Sequence, residues 1–274
     1  MPSAAAAVAR PGDRVLIAPG RYRDCAIWRT PDITIEAAPG GEVVVFGPVC
    51  ADKALFVVAA PRITIAGITF TGARATPGNG AGIRAEGGDL VIRRSRFLDN
   101  QNGILAAALP DSSLHVEDSV FIGNGARIGD CAHGLYAGAL ALLRISASHF
   151  EATRACHHVK SRARRTEIIE TTILDGEESR SSYLVDIPDG GDLLLARSTL
   201  RKGPASAQRA VAVAIGAEGV RQPTTMLRIE GNDFANLQRD STVFVWNRTR
   251  TPAELVGNRL HGRVVPLRGP GTVR

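Results

Sequence analysis

A short pattern of apolar and polar positions recurs along the chain: apolar, any residue, apolar, four mostly small or polar residues, then Phe or another large apolar side chain. It runs from Ile63-Thr64-Ile65 to Phe70, Leu90-Val91-Ile92 to Phe97, Leu114-His115-Val116 to Phe121 and Leu143-Arg144-Ile145 to Phe150. It returns from Leu193-Leu194-Leu195 to Leu200 and from Leu227-Arg228-Ile229 to Phe234. Weaker copies run from Thr166 through Ile168 to Ile173 and from Ala253 through Leu255 to Leu260. The closing positions lie 23 to 34 residues apart, about 27 on average, and five of the eight Phe occupy them.

Apolar-x-apolar is the period of a strand, with two side chains inward and one outward. No single repeat can bury its inward side chains, but stacking each on the next does so and pairs its backbone amides. Repeats this short, already holding two or three strands, leave no room for the helices of a doubly wound sheet. The Leu and Asn signature of leucine-rich repeats is absent. The pattern predicts an all-β solenoid of about ten turns, spaced about 4.8 Å and on the order of 45 Å long. It forms one domain, 1–274: a cap and first strand over 1–22, repeats over 23–262, and a C-terminal tail over 263–274. Ser3 to Ala9 reads as a short helix closing the first turn, with Ser3 as its N-cap. Strings such as Asp99-Asn100-Gln101-Asn102-Gly103 and Ile122-Gly123-Asn124 read as turns, where Asn and Gly tolerate left-handed backbone angles.

Composition agrees: 44% hydrophobic residues supply a core, while 29 Gly, 15 Pro and only 5% aromatics disfavour a helical bundle. No run of 18 apolar residues is present to span a membrane. The net charge of +6 suits a polyanionic partner or simple solubility. With no dense Lys/Arg run and no nucleic-acid-binding motif, nucleic acid is not the expected partner. Cys25/Cys50 and Cys131/Cys156 are each 25 apart, close to the repeat length. They are either two disulfides between neighbouring turns, which would imply an oxidising compartment, or buried thiols. The opening ten residues lack the basic start and long apolar stretch of a secretion signal, yet the expected location is secreted or periplasmic.

Arg10-Pro11-Gly12-Asp13-Arg14-Val15-Leu16-Ile17-Ala18-Pro19-Gly20-Arg21-Tyr22 resembles the first segment of pectate-lyase-like proteins. Together with the repeats this likeness covers nearly the whole chain, and it implies a right-handed parallel β-helix. It says little about activity.

Aligning second strands by their inward residues stacks Ile104, Leu135, Val159, Val185 and Val211 inside. Tyr136, Lys160 and Asp186 then stack outside on three consecutive turns. Arg162 and His158, two residues either side of Lys160, are expected on its face. Because 25 residues separate each cysteine pair but 24 separate Leu135 from Val159, the hydrophobic register is given priority: a one-residue slip would invert the strand.

These groups fit the cleavage of a uronic acid polymer by β-elimination. There the carboxylate beside the acidic carbon is neutralised by Arg, Lys or a bound cation. A base removes the proton, and an acid can protonate the departing glycosidic oxygen. Lys160, Arg162, Tyr136 and His158 are the candidate catalytic residues. His133, His157, Asp186, Arg164, Arg180, Tyr183 and Arg209 are the candidate substrate-binding residues. Arg and His crowding would lower the basicity threshold of Lys160, while Asp186 would raise it. Val159-Lys160-Ser161 resembles the Lys-Ser segment carrying the base in β-helix alginate lyases and chondroitinase B. Those enzymes place an Arg about one turn later, where this chain has Asp186, with Arg180 nearby. Their calcium-binding acidic residues have no match here, although Asp186, Asp189 and Asp192 could together hold Ca²⁺ without EF-hand spacing. The metal is therefore unknown.

Three alternatives stay open. A Lys between Tyr and Asp on a sheet face is also an ordinary solvated ion pair. A hydrolase of the polygalacturonase kind would pair Asp186 with Asp189 or Asp130. A non-catalytic module would bind polysaccharide with the same basic face. Trp246, beside Asn247 and Arg248, reads either as a sugar platform or as packing near the end of the solenoid.

Overall fold

The computed structural model describes residues 1–127, 131–177 and 179–274. The chain winds as a solenoid of three parallel sheets, of eleven, ten and ten strands. The first runs from Arg14–Ile17 to Gly271–Val273, the second from Gly20–Arg23 to Arg259–His261, and the third from Ala26–Trp28 to Val264–Arg268. Each coil therefore contributes one strand to every sheet, and strands continue through 264–268 and 271–273. A short antiparallel pair, Ala126–Arg127 with Cys131–Ala132, stands outside this pattern.

The eight closing positions of the repeat form one column in the second sheet. Phe70, Phe97, Phe121, Phe150, Ile173, Leu200, Phe234 and Leu260 are register partners in that order. From Phe70 to Phe150 the rings stack nearly parallel, with centroids 5.3, 4.6 and 4.3 Å apart. Seven of the eight are fully buried, so the repeat seen as periodic hydrophobicity is the core itself.

At the corner between the first two sheets, backbone N–H groups would be buried without sheet partners. Side chains one coil on accept them: Ser95 N–H donates to Ser119 Oγ, Ser119 to Ser148, Thr171 to Ser198, Ser198 to Asn232, and Asn232 to Asn258. Asn100 and Asn124 do similar work at the next corner, where Asn100 N–H and Nδ2 both donate to Asn124 Oδ1. They do not take the left-handed angles expected of turn Asn. Asp99 (φ 53°) and Gly123 (φ 64°) do.

The cap helix spans Pro2–Val8. Ser3 is not its N-cap: Met1 holds that position, and Ser3 N–H donates to Asp24 Oδ2. Ala5, Ala6 and Ala9 pack on the core and close its first coil beside the buried Trp28. Both cysteine pairs are disulfides, Cys25–Cys50 and Cys131–Cys156. No helix among the described residues is long and apolar enough to cross a membrane.

Candidate functional site

The third sheet carries the row expected from sequence. Ile104, Leu135, Val159 and Val185 are inward register partners, and Leu105, Tyr136, Lys160 and Asp186 follow one another on the outer side. The 25-residue disulfide and the 24-residue strand register coexist. Cys131 lies four residues before Leu135 but Cys156 three before Val159, and Cys156 takes a left-handed angle (φ 62°) that absorbs the difference.

A loop of the following coils reaches this row through Glu218, which contacts Lys160, and Gln222, which contacts Arg162 O. Lys160 is 8% exposed and Asp186 2%, so this is no solvated surface pair. Lys160 Nζ lies 2.6 Å from Glu218 Oε1 and 3.3 Å from Asp186 Oδ2. Arg162, just past the end of the strand Val159–Ser161, donates through Nε to the Tyr136 hydroxyl oxygen at 3.0 Å. Its Nη1 donates to Asp189 Oδ1 at 2.6 Å, and its Nη2 donates to Glu218 Oε2. Tyr136, Lys160 and Arg162 line an open pocket of about 320 Å³ with Asn79, Arg84, Asn102, Leu105, Cys131 and His133.

Beside this pocket, four rings stack: Tyr136 on His133 (5.6 Å), His133 on His157 (5.1 Å) and His157 on Tyr183 (5.1 Å). Each histidine Nδ1 accepts a backbone N–H from the following coil, His157 N–H at 3.3 Å and Tyr183 N–H at 3.0 Å. The neutral rings therefore carry their proton on Nε2, which in His157 faces Asp186 Oδ2 at 3.4 Å. Burial, reinforced by the Lys160 and Arg162 charges, pushes His133 down to about 3. Burial and the neighbouring His133 push His157 well below its ordinary range. Both are uncharged at neutral pH.

Burial lifts Asp186 to about 6 against the pull of Lys160, and its Oδ1 is enclosed without a hydrogen-bond partner. Glu218 moves the other way. Its partial burial would raise it, but hydrogen bonds from Lys160 and Arg162 hold it at about 2. Burial would lower Arg162, but hydrogen bonds to Glu218 and Asp189 raise it further above its ordinary value.

Several expected residues fall elsewhere. His158 does not share the face of Lys160. It is fully buried inside the coil, with Nδ1 on Thr153 Oγ1 (2.8 Å) and Nε2 on Asp175 Oδ1 (2.8 Å). The strand begins only at Val159, so alternation does not reach back to His158. Its register position is held by Gly103 and Gly134 in the two preceding coils. Added Cβ atoms there would meet the next coil's backbone oxygen at 2.5 Å and, at Gly103, Phe121 as well. The unbroken run of Phe in that column stops at Phe150, with Ile173 next, and there His158 fits. Asp175 also accepts from Gly203 N–H and the hydroxyls of Ser179, Ser181 and Ser206, and Lys202 Nζ lies 3.8 Å from it.

Val185 pairs with Val213, not Val211. Arg209 thus precedes its strand, exposed, and with Arg180 lines a separate shallow pocket beside Ser206. Arg164 turns the corner toward the first sheet, where its Nη2 donates to Pro110 O at 3.2 Å. Trp246 lies two coils beyond Asp186 in the outer row, with the guanidinium groups of Arg248 and Arg268 over its ring at 5.0 and 5.7 Å. Asp130 lies outside the described residues.

Asp186, Asp189 and Asp192 do not converge on a shared point. The first faces Lys160 and His157, the second Arg162 and Arg221, and the third accepts from Thr225 and the Met226 N–H. Among the described residues no group of three or more His, Cys, Asp and Glu side chains could hold a metal ion. These aspartates do not fit a calcium site.

Glu218 was not foreseen. Its signal lay in length: the repeat closing at Phe234 is the longest, at 34 residues, and Glu218 and Gln222 within it reach Lys160 and Arg162.

The solenoid is that of right-handed parallel β-helix proteins. It is similar to alginate lyase from Paenibacillus sp. str. FPU-7 (TM-score 0.66, 16% identity, 96% of this chain and 95% of that one). Pectate lyase Pel9A aligns at TM-score 0.62 and 15% identity, covering 99% of this chain and 71% of that one. The A-module of Azotobacter vinelandii mannuronan C-5 epimerase AlgE4 aligns at TM-score 0.60 and 16% identity, covering 96% and 91%. At such identities the likeness is one of fold. No family model matches the chain, and no curated protein matches it.

Proposed function

We propose that the chain is a carbohydrate-active enzyme, a lyase that cleaves a uronate-containing polysaccharide by β-elimination in the Lys160 groove. The observation that carries this reading is the convergence of Tyr136, Lys160 and Arg162 in one open pocket, with Arg162 hydrogen-bonded to Tyr136. Arg162 neutralises the sugar carboxylate, which stabilises the charge that develops on the adjacent carbon. Lys160, once its ammonium has released a proton to solvent, takes the proton from that carbon as the free amine, and the electron pair expels the glycosidic oxygen as a double bond forms. The Tyr136 oxygen already accepts from Arg162, so its own hydrogen is free to protonate the leaving oxygen. His133, uncharged and lining the pocket, donates through Nε2 to a sugar oxygen without competing for the carboxylate, while His157 Nε2 stays directed at Asp186. His158 acts at one remove, holding the turn before Val159 through Thr153 and Asp175.

The fold neighbours support the substrate class. Alginate, pectate and mannuronan are uronate polymers, and elimination and C-5 epimerisation both begin by removing the proton beside the carboxylate. The hydrolase reading has less behind it: Asp186 and Asp189 are nearly enclosed and held by Lys160 and by Arg162 with Arg221. A panel of uronate polymers tests the proposal, with ultraviolet absorbance of the unsaturated product as readout. Lys160→Ala should abolish product while leaving the circular dichroism unchanged. An active variant removes Lys160 from the mechanism, new reducing ends without absorbance mean hydrolysis, and binding without product means a binding module.

A further inference from the structure

We propose that Glu218 is an internal occupant of the carboxylate position in this groove, and that a free uronate carboxylate displaces it by exchange. This deepens the lyase reading and rests on its substrate class.

Glu218 bridges the two cations of the site, with Oε1 on Lys160 Nζ and Oε2 on Arg162 Nη2. Neither neighbouring carboxylate does so: Asp186 reaches Lys160 alone, and Asp189 reaches Arg162 and Arg221. Those two are 2% and 7% exposed, built into the wall, whereas the Glu218 side chain is 43% exposed. Its one-oxygen-per-cation geometry is what a sugar carboxylate would adopt between an ammonium and a guanidinium.

The backbone beneath Glu218 is fixed. Its own N–H donates to Pro188 O at 3.0 Å, and those of Arg221 and Gln222 donate to Asp189 O at 2.8 and 2.9 Å. Gln222 Nε2 also holds Arg162 O at 3.2 Å. The exchange therefore needs only rotation of the Glu218 side chain into solvent, with the loop left in place. An acid sugar replaces one carboxylate with another and leaves both cations paired. A neutral or methyl-esterified sugar would leave Lys160 with Asp186 alone and Arg162 with Asp189 alone, each short of one carboxylate in a partly desolvated site, which is costly. Glu218 thus selects ligands for a free carboxylate.

The test compares wild type, Glu218→Gln and Glu218→Ala by calorimetry. The ligands are methyl glycosides of galacturonic and mannuronic acid, which lack a 4-linked leaving group and are not turned over, and their methyl esters. Removing the competing carboxylate should tighten binding of at least one acid glycoside about tenfold and leave the esters unchanged. Unchanged or weakened acid binding in both folded variants overturns the proposal, as does an equal gain for the esters. Absence of binding to all three proteins overturns it together with the uronate reading. Tighter acid binding without elimination product from any polymer upholds the exchange and refutes only the lyase chemistry.

Discussion

Lys202 offers a quantitative test of the interior. Its side chain is fully buried, its ammonium donates to Ser182 O, and the nearest carboxylate oxygen, Asp175 Oδ2, is 3.8 Å away. Burial pulls it down from 10.5 to about 8, with Asp175 only partly compensating. The unfolded chain keeps this proton up to about pH 10.5 while the folded chain releases it near 8. Between these values the unfolded state binds more protons, so this residue makes stability rise with pH. A shift from 10.5 to about 8 corresponds to about 3 kcal/mol, borne as a penalty at neutral pH and relieved by pH 10.5. Lys202→Met removes the titrating group and keeps most of its volume, and Asp175 retains His158 and its hydroxyl and amide donors. The stability of wild type minus that of Lys202→Met should therefore climb by about 3 kcal/mol from pH 7 to 10.5. At about 2 cal/mol/K per residue, that is a relative gain in Tm of about 5 °C. Thermal melts followed by circular dichroism at matched pH measure it, and titrations common to both proteins cancel. A difference that stays flat across this range would refute the argument that Lys202 is charged and poorly compensated in the folded chain.

Two further outcomes follow from other residues. Phe121→Ala opens a cavity between rings stacked at 4.6 and 4.3 Å and should cost about 3–5 kcal/mol in chemical denaturation, with Phe121→Leu recovering most of it. Asp186, lifted by burial to about 6, binds more protons folded than unfolded, so its contribution to stability falls as pH rises from about 4 to 6. The stability of wild type relative to Asp186→Asn should drop by about 3 kcal/mol over that interval, and a flat difference would contradict the assignment.

What could be read from sequence tracks what each contact depends on. The core column from Phe70 to Leu260 was legible because every member repeats one chemistry at nearly one spacing. The Tyr136–Lys160–Asp186 row followed from it, since fixing the inward residues fixes their outward neighbours. Arg209 was misplaced by a slip of two residues. Such a slip keeps every side chain on its own face, and Val211-Ala212-Val213 satisfies the hydrophobic pattern in either register. His158 was assigned to the wrong side because alternation belongs to strands and it precedes one, although the Gly103 and Gly134 column marked that slot as crowded. Glu218 obeys no repeat. It comes from residues that lengthen one coil, and only their placement over Lys160 gives them meaning. The interior group of His158, Asp175 and Lys202 was invisible for a related reason: its three members come from three segments joined only by the winding of the chain.

Because each coil adds a single letter to the outer row, the row can be rewritten by whole coils without touching the packing that supports it. Excising the stretch from just after Phe97 through Phe121 would rejoin Phe97 to the segment that follows and keep the ring column continuous. It would also carry away Leu105 and set Arg84 directly against Tyr136. In this architecture the groove's chemistry is spelled in the order of interchangeable rungs, and cutting or copying a rung respells it.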